Sequence, residues 1–216
     1  MNPQSADWNH FWTIRPQEHL SAISWSKRRI IQVVEPYVRT RKIILDAGCG
    51  SGFFSKYFCD SGLTTVSLDY ADKALEITRS LTKGRSRVGK IDLLSTPLSQ
   101  EIMERFDIIF TDGLLEHFTL TEQNKILQNF KSVLLNTGMI ITFVPNRWSP
   151  WELIRPFFMP GIDEKPFVLT QLLRLNYTND LTVIACGGIN TVPFRYSPDR
   201  FFGKYFGMLL YSISQK

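Results

Sequence analysis

The sequence has few cysteines and no long apolar run, and both shortages narrow the classes of protein to which it can belong. Its three cysteines, Cys49, Cys59 and Cys186, form no CxxC pair and leave an odd count, so neither a disulfide framework nor a zinc site is indicated. The longest apolar runs are far shorter than the ~20 residues of a membrane-spanning helix, and the N-terminus lacks the apolar core of a signal peptide. We therefore expect a cytoplasmic protein without a transmembrane segment.

The chain also lacks a large excess of positive or negative charge. The 216 residues carry 25 lysines and arginines against 20 acidic residues, a net charge of +5, and 44% of them are hydrophobic. Basic residues do not alternate with aromatic residues along a stacking strip, so a nucleic-acid partner is not favoured. Length and composition suit one α/β domain with a full core.

The most informative stretch is residues 42–54, which read KIILDAGCGSGFF. An apolar strand is followed by Gly48, Gly50 and Gly52 and then by the start of a helix, which lets the backbone approach a bound nucleoside closely. In the dinucleotide fingerprint two residues separate the second and third glycines; here Phe53 takes the third place and Gly52 comes one residue early. A diphosphate site is therefore not favoured.

A second apolar strand ends at Asp69, about 20 residues after the glycine turn. A carboxylate at the tip of this strand can accept hydrogen bonds from both hydroxyls of a ribose. The two features together predict a site for an unphosphorylated nucleoside.

Apolar periodicity predicts strands that alternate with helices along most of the chain. The predicted helices are 24–38, 53–60, 72–81, 121–134 and 169–175. The predicted strands are 42–46, 65–69, 87–91, 107–111, 139–144, 181–186 and 208–213. This alternation is typical of a parallel, doubly wound sheet.

The run LDAGCGSGF followed by VSLDYADKALEIT, with later motifs at residues 90–94, 106–117 and 134–141, resembles the class I S-adenosylmethionine-dependent methyltransferases. The resemblance covers roughly residues 25–146, and within the family the chain is similar to the small-molecule, quinone-pathway type. It implies an α/β fold with a mostly parallel seven-stranded sheet flanked by helices and an antiparallel edge hairpin near the C-terminus. It also implies S-adenosyl-L-methionine as the cofactor.

The resemblance implies roles for several of these residues. Asp46 would orient the methionine amino group, or else cap the strand end, and Asp92 would accept from the adenine amino group, or else cap a turn. Arg28 lies where related quinone-pathway enzymes place a basic residue on the cofactor carboxylate; Arg29 is the alternative, and either one also fits a solvated surface. The expected cofactor-binding residues are Asp46, Gly48, Gly50, Gly52, Asp69, Tyr70, Asp92, Leu93, Asp112 and Arg28.

His117 is the candidate general base, since Glu116-His117 stands where related enzymes have the same pair and a neutral imidazole there can take a proton from a hydroxyl acceptor. The alternative is a histidine that only shapes its loop. Some relatives hold a divalent metal with an ExxEH motif, but Gly113 replaces the first glutamate here. No metal site is therefore expected.

Two aromatic segments are expected to close over the acceptor. Residues 1–23 show no sustained periodicity and are interpreted as an arm or lid, while residues 24–216 form a single methyltransferase domain with a proline-rich lid insertion at about 145–166. Both segments reach the carboxyl edge of the sheet in the expected topology. The expected substrate-pocket residues are Trp8, Trp12, Trp148, Trp151 and Arg155.

These features predict methyl transfer to an oxygen, or else a carbon or nitrogen, of a small, partly apolar acceptor. The motif (D/N)PP(Y/F) of methyltransferases acting on base amines is absent after strand 4, where residues 112–115 read DGLL. Three alternatives remain open: an RNA or protein methyltransferase, a cofactor-binding module without catalysis, and a nicotinamide-dependent enzyme. Peripheral membrane contact also remains open.

Overall fold

The computed structural model of the protein describes residues 3–14, 23–158 and 164–216. Its centre is a seven-stranded sheet with the strand order β3-β2-β1-β4-β5-β7-β6. The strands are β1 (Ile43–Ala47), β2 (Thr64–Asp69), β3 (Arg87–Lys90), β4 (Phe106–Asp112), β5 (Leu134–Pro145), β6 (Thr182–Ile189) and β7 (Leu209–Gln215). Strands β1 to β5 pair in parallel, and β7 runs antiparallel to both β5 and β6. The predicted mostly parallel sheet with its antiparallel edge hairpin is confirmed.

Helices cover both faces of this sheet. They are α1 (Pro3–Ile14), α2 (Trp25–Val38), α3 (Phe53–Asp60), α4 (Asp72–Thr82), α5 (Leu98–Glu101), α6 (Leu120–Val133), α7 (Trp151–Phe158), α8 (Leu169–Tyr177) and α9 (Asp199–Phe206), with a 3-10 turn at Leu115–His117. None of the helices in the described part of the chain has the length and apolar character that crossing a bilayer requires.

Neighbouring apolar residues in the central strands divide between two cores. Leu45 and Ile109 face a core completed by α6 and α8, whereas Ile44 and Ile108 face one completed by α2 and α3. Successive side chains of a strand point to opposite faces, so a strand covered on both sides must be apolar throughout. This explains why the central strands read as continuous apolar runs.

The N-terminal arm is more regular than its sequence indicated. Residues Pro3–Ile14 form α1, and Trp8, Phe11 and Trp12 stand at helical spacing (i, i+3, i+4), a signal that the sequence analysis missed. Helix α1 docks on the domain partly because Asn9 Oδ1 accepts a hydrogen bond from Lys73 N, at 3.1 Å, in the first turn of α4. Residues 15–22 of the expected arm lie outside the described residues.

Two further segments contain helices that were not predicted. The expected lid insertion includes α7, and its residues 159–163 lie outside the described residues. The stretch between β6 and β7, for which no helix was predicted, contains α9. Both helices follow strands that end at one edge, since Pro145 of β5 and Ile189 of β6 are both paired with Leu209. This is the edge where ligands bind in open α/β sheets.

Candidate active site

A cavity of about 320 Å³ opens at the carboxyl ends of β1, β2 and β4. Its volume falls within the usual range for small-molecule sites. The glycine turn and the strand ends form one part of its wall, while α1 and the loop after β4 form another. Of the expected site residues, the cavity is lined by Trp8, Trp12, Asp46, Gly48, Gly50, Asp69, Tyr70, Asp92, Leu93, Asp112 and His117.

The glycine turn has the backbone shape that its composition suggested. Gly50 has φ +50° and Gly52 has φ +71°, in the left-handed region that favours glycine. A Cβ on Gly52 would lie 2.7 Å from the Thr78 backbone, and one on Gly50 would lie 2.7 Å from the Trp12 ring. Gly52 therefore allows α3 and α4 to pack closely, and Gly50 allows α1 to close onto the turn.

Asp69 is held by the turn that it faces. Its Oδ2 accepts a hydrogen bond from Gly50 N and its Oδ1 accepts one from Ala71 N, both at 2.9 Å. An ionised carboxylate has about four acceptor positions, so about two remain after the backbone bonds. The geometry thus leaves acceptor capacity for a pair of ligand hydroxyls at the cavity wall.

Two carboxyl groups at the ends of β1 and β4 have strongly perturbed acidity. Burial raises the pKa of Asp46 to about 7, against the lowering effect of a 2.5 Å hydrogen bond from Ser55 Oγ. Burial likewise raises the pKa of Asp112 to about 7, and the charge of Lys27 opposes that shift. Removal from water penalises the charged form of an acid, so these groups favour a nearby cation.

Lys27, rather than Arg28, is the basic residue of α2 that reaches the cavity. Its Nζ lies 4.1 Å from the centroid of the Phe53 ring, and burial lowers its pKa. The expected ligand Arg28 is exposed and packs over Trp25, with its guanidinium 5.6 Å from the ring centroid. The alternative, Arg29, pairs with Asp199 at 2.9 Å and lies away from the cavity lining.

The residues expected around an adenine lie together after β2 and β3. Tyr70, Asp92 and Leu93 all line the cavity. Asp92 Oδ1 accepts a hydrogen bond from Leu94 N at 2.9 Å, which is the turn-capping contact considered as an alternative. Because a carboxylate keeps further acceptor positions, this contact is compatible with an additional hydrogen bond from a ligand.

His117 stands at the other side of the cavity, beneath α1. Its ring is 4.9 Å from that of Trp8 in an edge-on arrangement. The adjacent Glu116 is buried, and its Oε2 has no hydrogen-bond partner among the described residues. Burial, with a further contribution from the charge of Glu164, raises the pKa of Glu116 well above its usual value.

The fold brings the carboxylate of Glu164, a third side chain able to bind a metal, close to Glu116 and His117. Glu116, His117 and Glu164, here called the ligand cluster, offer atoms that all lie within 4.8 Å of one another. Glu164 comes from the segment after α7, so it lies outside the ExxEH motif whose first glutamate is replaced by Gly113. The absence of a glutamate at position 113 is therefore not by itself a shortage of ligands.

Three expected substrate-pocket residues lie outside the cavity lining, namely Trp148, Trp151 and Arg155. The side chain of Trp148 is 64% exposed, and so its ring faces solvent. Arg155 forms ion pairs with Glu152 at 3.0 Å and Glu164 at 3.5 Å, so these carboxylates already neutralise its charge. Arg155 therefore supports Glu164 from behind the cavity wall.

The cavity lining is markedly acidic. Among the described residues, Lys27 is the only lysine or arginine that lines it. The acidic residues of the lining are Asp46, Asp69, Asp92, Asp112, Glu116 and Glu164. Such a surface attracts a cationic ligand and repels a diphosphate, because buried like charges are costly.

Comparison with known proteins identifies the family. Residues 45–142 match the model of a methyltransferase domain. A ubiquinone biosynthesis O-methyltransferase of Pelagibacter ubique is 30% identical over 168 residues, which span 68% of this chain and 64% of that protein. The chain spans about half the length of other curated relatives that it matches.

Solved structures share the fold over nearly the whole chain. A methyltransferase from Anabaena variabilis has a TM-score of 0.70 at 15% identity, with 100% of this chain and 96% of that one covered. A magnesium protoporphyrin IX methyltransferase from Synechocystis, solved with bound S-adenosylhomocysteine, has a TM-score of 0.64 at 12% identity, with 100% and 95% covered. The matched methyltransferase domain and the curated O-methyltransferase relatives support a class I S-adenosylmethionine-dependent methyltransferase, and the architecture and the acidic cavity agree with it.

Proposed function

We propose that the protein transfers the methyl group of S-adenosylmethionine to a hydroxyl oxygen of a small, partly apolar acceptor. The observation that carries this proposal is the contact between the glycine turn and Asp69, beneath a cavity whose described lining holds six acidic side chains and one lysine among apolar residues. S-adenosylmethionine brings a sulfonium and an ammonium group, and such a lining suits both. The bound cofactor supplies an activated methyl group.

The cofactor is held along the strand ends. Asp69 accepts from the two ribose hydroxyls, and Asp92 accepts from the adenine amino group. Asp46 and Asp112 face the ammonium group, whose positive charge favours their ionised forms. Lys27 pairs with the cofactor carboxylate, which is the group that an otherwise acidic cavity would repel.

The protein contributes mainly position and the exclusion of water. Holding donor and acceptor in a near-attack geometry can supply about 7–11 kcal/mol of the barrier reduction. His117 accepts the hydroxyl proton of the acceptor as the new O–CH3 bond forms and the S–CH3 bond breaks. The rings of Trp8 and Trp12 line the cavity beside these groups and keep water out.

Helix α1 acts as the lid in this proposal, and residues 145–166 contribute chiefly Glu164. Because Trp12 lies against Gly50, α1 covers the cofactor as well as the acceptor. The relative from Pelagibacter ubique is named an O-methyltransferase of ubiquinone biosynthesis, which supports a hydroxyl acceptor. We further propose a cytoplasmic location for the reaction, consistent with the three free cysteines.

Calorimetry combined with a turnover assay tests the proposal. S-adenosylhomocysteine should bind the purified protein, and NAD should not. Formation of S-adenosylhomocysteine from S-adenosylmethionine should then depend on an added phenol that carries an apolar substituent. Tight binding of NAD alone would overturn the cofactor assignment, whereas cofactor binding without turnover on phenols, catechols, RNA or protein would indicate a non-catalytic module.

A further inference from the structure

A surface at the β6–β7 edge exposes an unusual number of aromatic side chains. Within residues 194–206, six aromatic residues are between 49% and 81% exposed. We call this region the aromatic edge surface; its aromatic members are Phe194, Tyr196, Phe201, Phe202, Tyr205 and Phe206. Large contiguous apolar patches on soluble domains mark interaction sites.

The exposure results from how α9 is anchored. The helix lies on β6 through Gly203, and a Cβ added to Gly188 would come within 2.0 Å of the Gly203 carbonyl oxygen. Asp199 at its start accepts from Asn190 N and Thr191 N at 3.0 and 2.8 Å. Because the docked side of α9 consists of a glycine and a capping aspartate, its large side chains must point outward.

The same surface is basic. Arg195, Arg200 and Lys204 are exposed, while Asp199, its only acidic residue, is paired with Arg29 at 2.9 Å. The guanidinium of Arg195 lies 5.6 Å from the Tyr196 ring centroid. An anchored helix with aromatic and basic residues on its outer side is typical of proteins that lie on membrane surfaces.

The surface continues onto the segment after β5, at the edge of the sheet where the cavity opens. Asn146 Nδ2 donates to the carbonyl oxygens of Tyr205 and Gly207, at 3.1 and 2.9 Å, and so joins the two segments. The adjoining Trp148 is 64% exposed, and Phe157 of α7 is 83% exposed. A planar partner at this edge would therefore lie close to the cavity mouth.

We propose that the aromatic edge surface docks on an anionic lipid bilayer. Three outward cations complement anionic headgroups, and phenylalanine, tyrosine and tryptophan side chains suit the interface between headgroups and acyl chains. A symmetric dimer through this surface would set its cations against the same cations of a second copy, which is unfavourable. The inference does not rest on methyl transfer, since lipid binding can be measured without turnover.

Vesicle sedimentation with the full chain tests this inference. The protein should bind vesicles of phosphatidylcholine mixed with phosphatidylglycerol, should bind pure phosphatidylcholine vesicles weakly, and should be partly released by salt. The double variant Arg200→Gln/Lys204→Gln should bind the anionic vesicles about 30-fold more weakly, since each basic residue near the membrane surface contributes roughly five-fold. The matched control Arg79→Gln/Lys83→Gln changes two exposed basic residues with the same spacing at the end of α4 and should bind like the unchanged protein.

A second variant separates apolar insertion from charge. Phe201→Ser/Tyr205→Ser should weaken binding to the same vesicles even in high salt, and urea unfolding should confirm that both double variants remain folded. Equal binding by the unchanged protein and both variants would overturn the inference. Absence of binding to anionic vesicles would overturn it too, as would a concentration-dependent dimer by light scattering that the variants abolish.

Discussion

Replacing each of two neighbouring basic residues on α2 by methionine, one at a time, tests the proposed orientation of the cofactor. Lys27 lines the cavity, whereas Arg28 is exposed beside Trp25. If Lys27 pairs with the cofactor carboxylate, Lys27→Met should weaken the binding of S-adenosylhomocysteine. Arg28→Met, a loss of the same charge one residue away, should leave the affinity unchanged within about two-fold, because an exposed charge at that distance is well screened.

The expected magnitude follows from the environment of Lys27. A hydrogen bond to a charged partner contributes about 1.5–3 kcal/mol. Lys27 is only partly buried and its charge also interacts with Asp112, so we expect the lower part of that range. A loss of about 1.5–2 kcal/mol corresponds to roughly 10- to 30-fold weaker binding.

Calorimetry with two ligands isolates the carboxylate. 5′-Methylthioadenosine has the nucleoside and the sulfur of the cofactor but lacks its amino-acid end. Lys27→Met should therefore weaken S-adenosylhomocysteine binding and leave 5′-methylthioadenosine binding nearly unchanged. Equal losses for both ligands would show that Lys27 supports the cavity in general, and a larger loss in Arg28→Met would refute the orientation.

Three further predictions concern the carboxylates. Asp69→Asn loses the acceptor for Gly50 N and one ribose hydroxyl, and should weaken S-adenosylhomocysteine binding by about 1.5–3 kcal/mol in calorimetry, whereas the nearby exposed Asp72→Asn should have no effect. Because the pKa values of Asp46 and Asp112 rise from 3.8 to about 7 on folding, the folded state binds these protons more tightly. The free energy of unfolding without ligand should then decrease as pH rises from about 4 to about 7 and change little above that. Urea titrations should show this slope reduced in Asp46→Asn, and an identical slope would contradict the assignment. A chelator should leave methyl transfer intact because an arginine already neutralises part of the ligand cluster; activity lost and then restored by magnesium would show that the cluster holds a metal.

The sequence was sufficient for the sheet and for the nucleoside side of the cavity. Apolar runs buried on both faces can only be central strands, and a turn with Gly50 and Gly52 in left-handed conformations needs residues without a Cβ. Asp69 follows from the same local pattern, since the end of β2 is next to the turn in every fold of this topology. These features depend on residues near one another in the chain or on a regular strand order.

The sequence was insufficient to predict which way a side chain points where the rotation or packing of a helix decides it. One residue along a helix turns the side chain by about 100°, so choosing Lys27 over Arg28 requires knowing how α2 is rotated on the sheet. Helix α1 was missed because three aromatic residues at helical spacing do not outweigh a short polar segment. Helix α9 was missed because its large side chains point away from the core.

The sequence by itself determined the succession of the seven strands, the helices between the central strands, the glycine turn and the carboxylate at the tip of β2, because these follow from backbone sterics and apolar periodicity. Only the tertiary structure decided that Glu164 joins Glu116 and His117. It also decided that Trp148 faces solvent and that Trp12 closes onto Gly50. Those contacts join residues far apart in the chain, and no local preference specifies which distant segments meet until the core has packed.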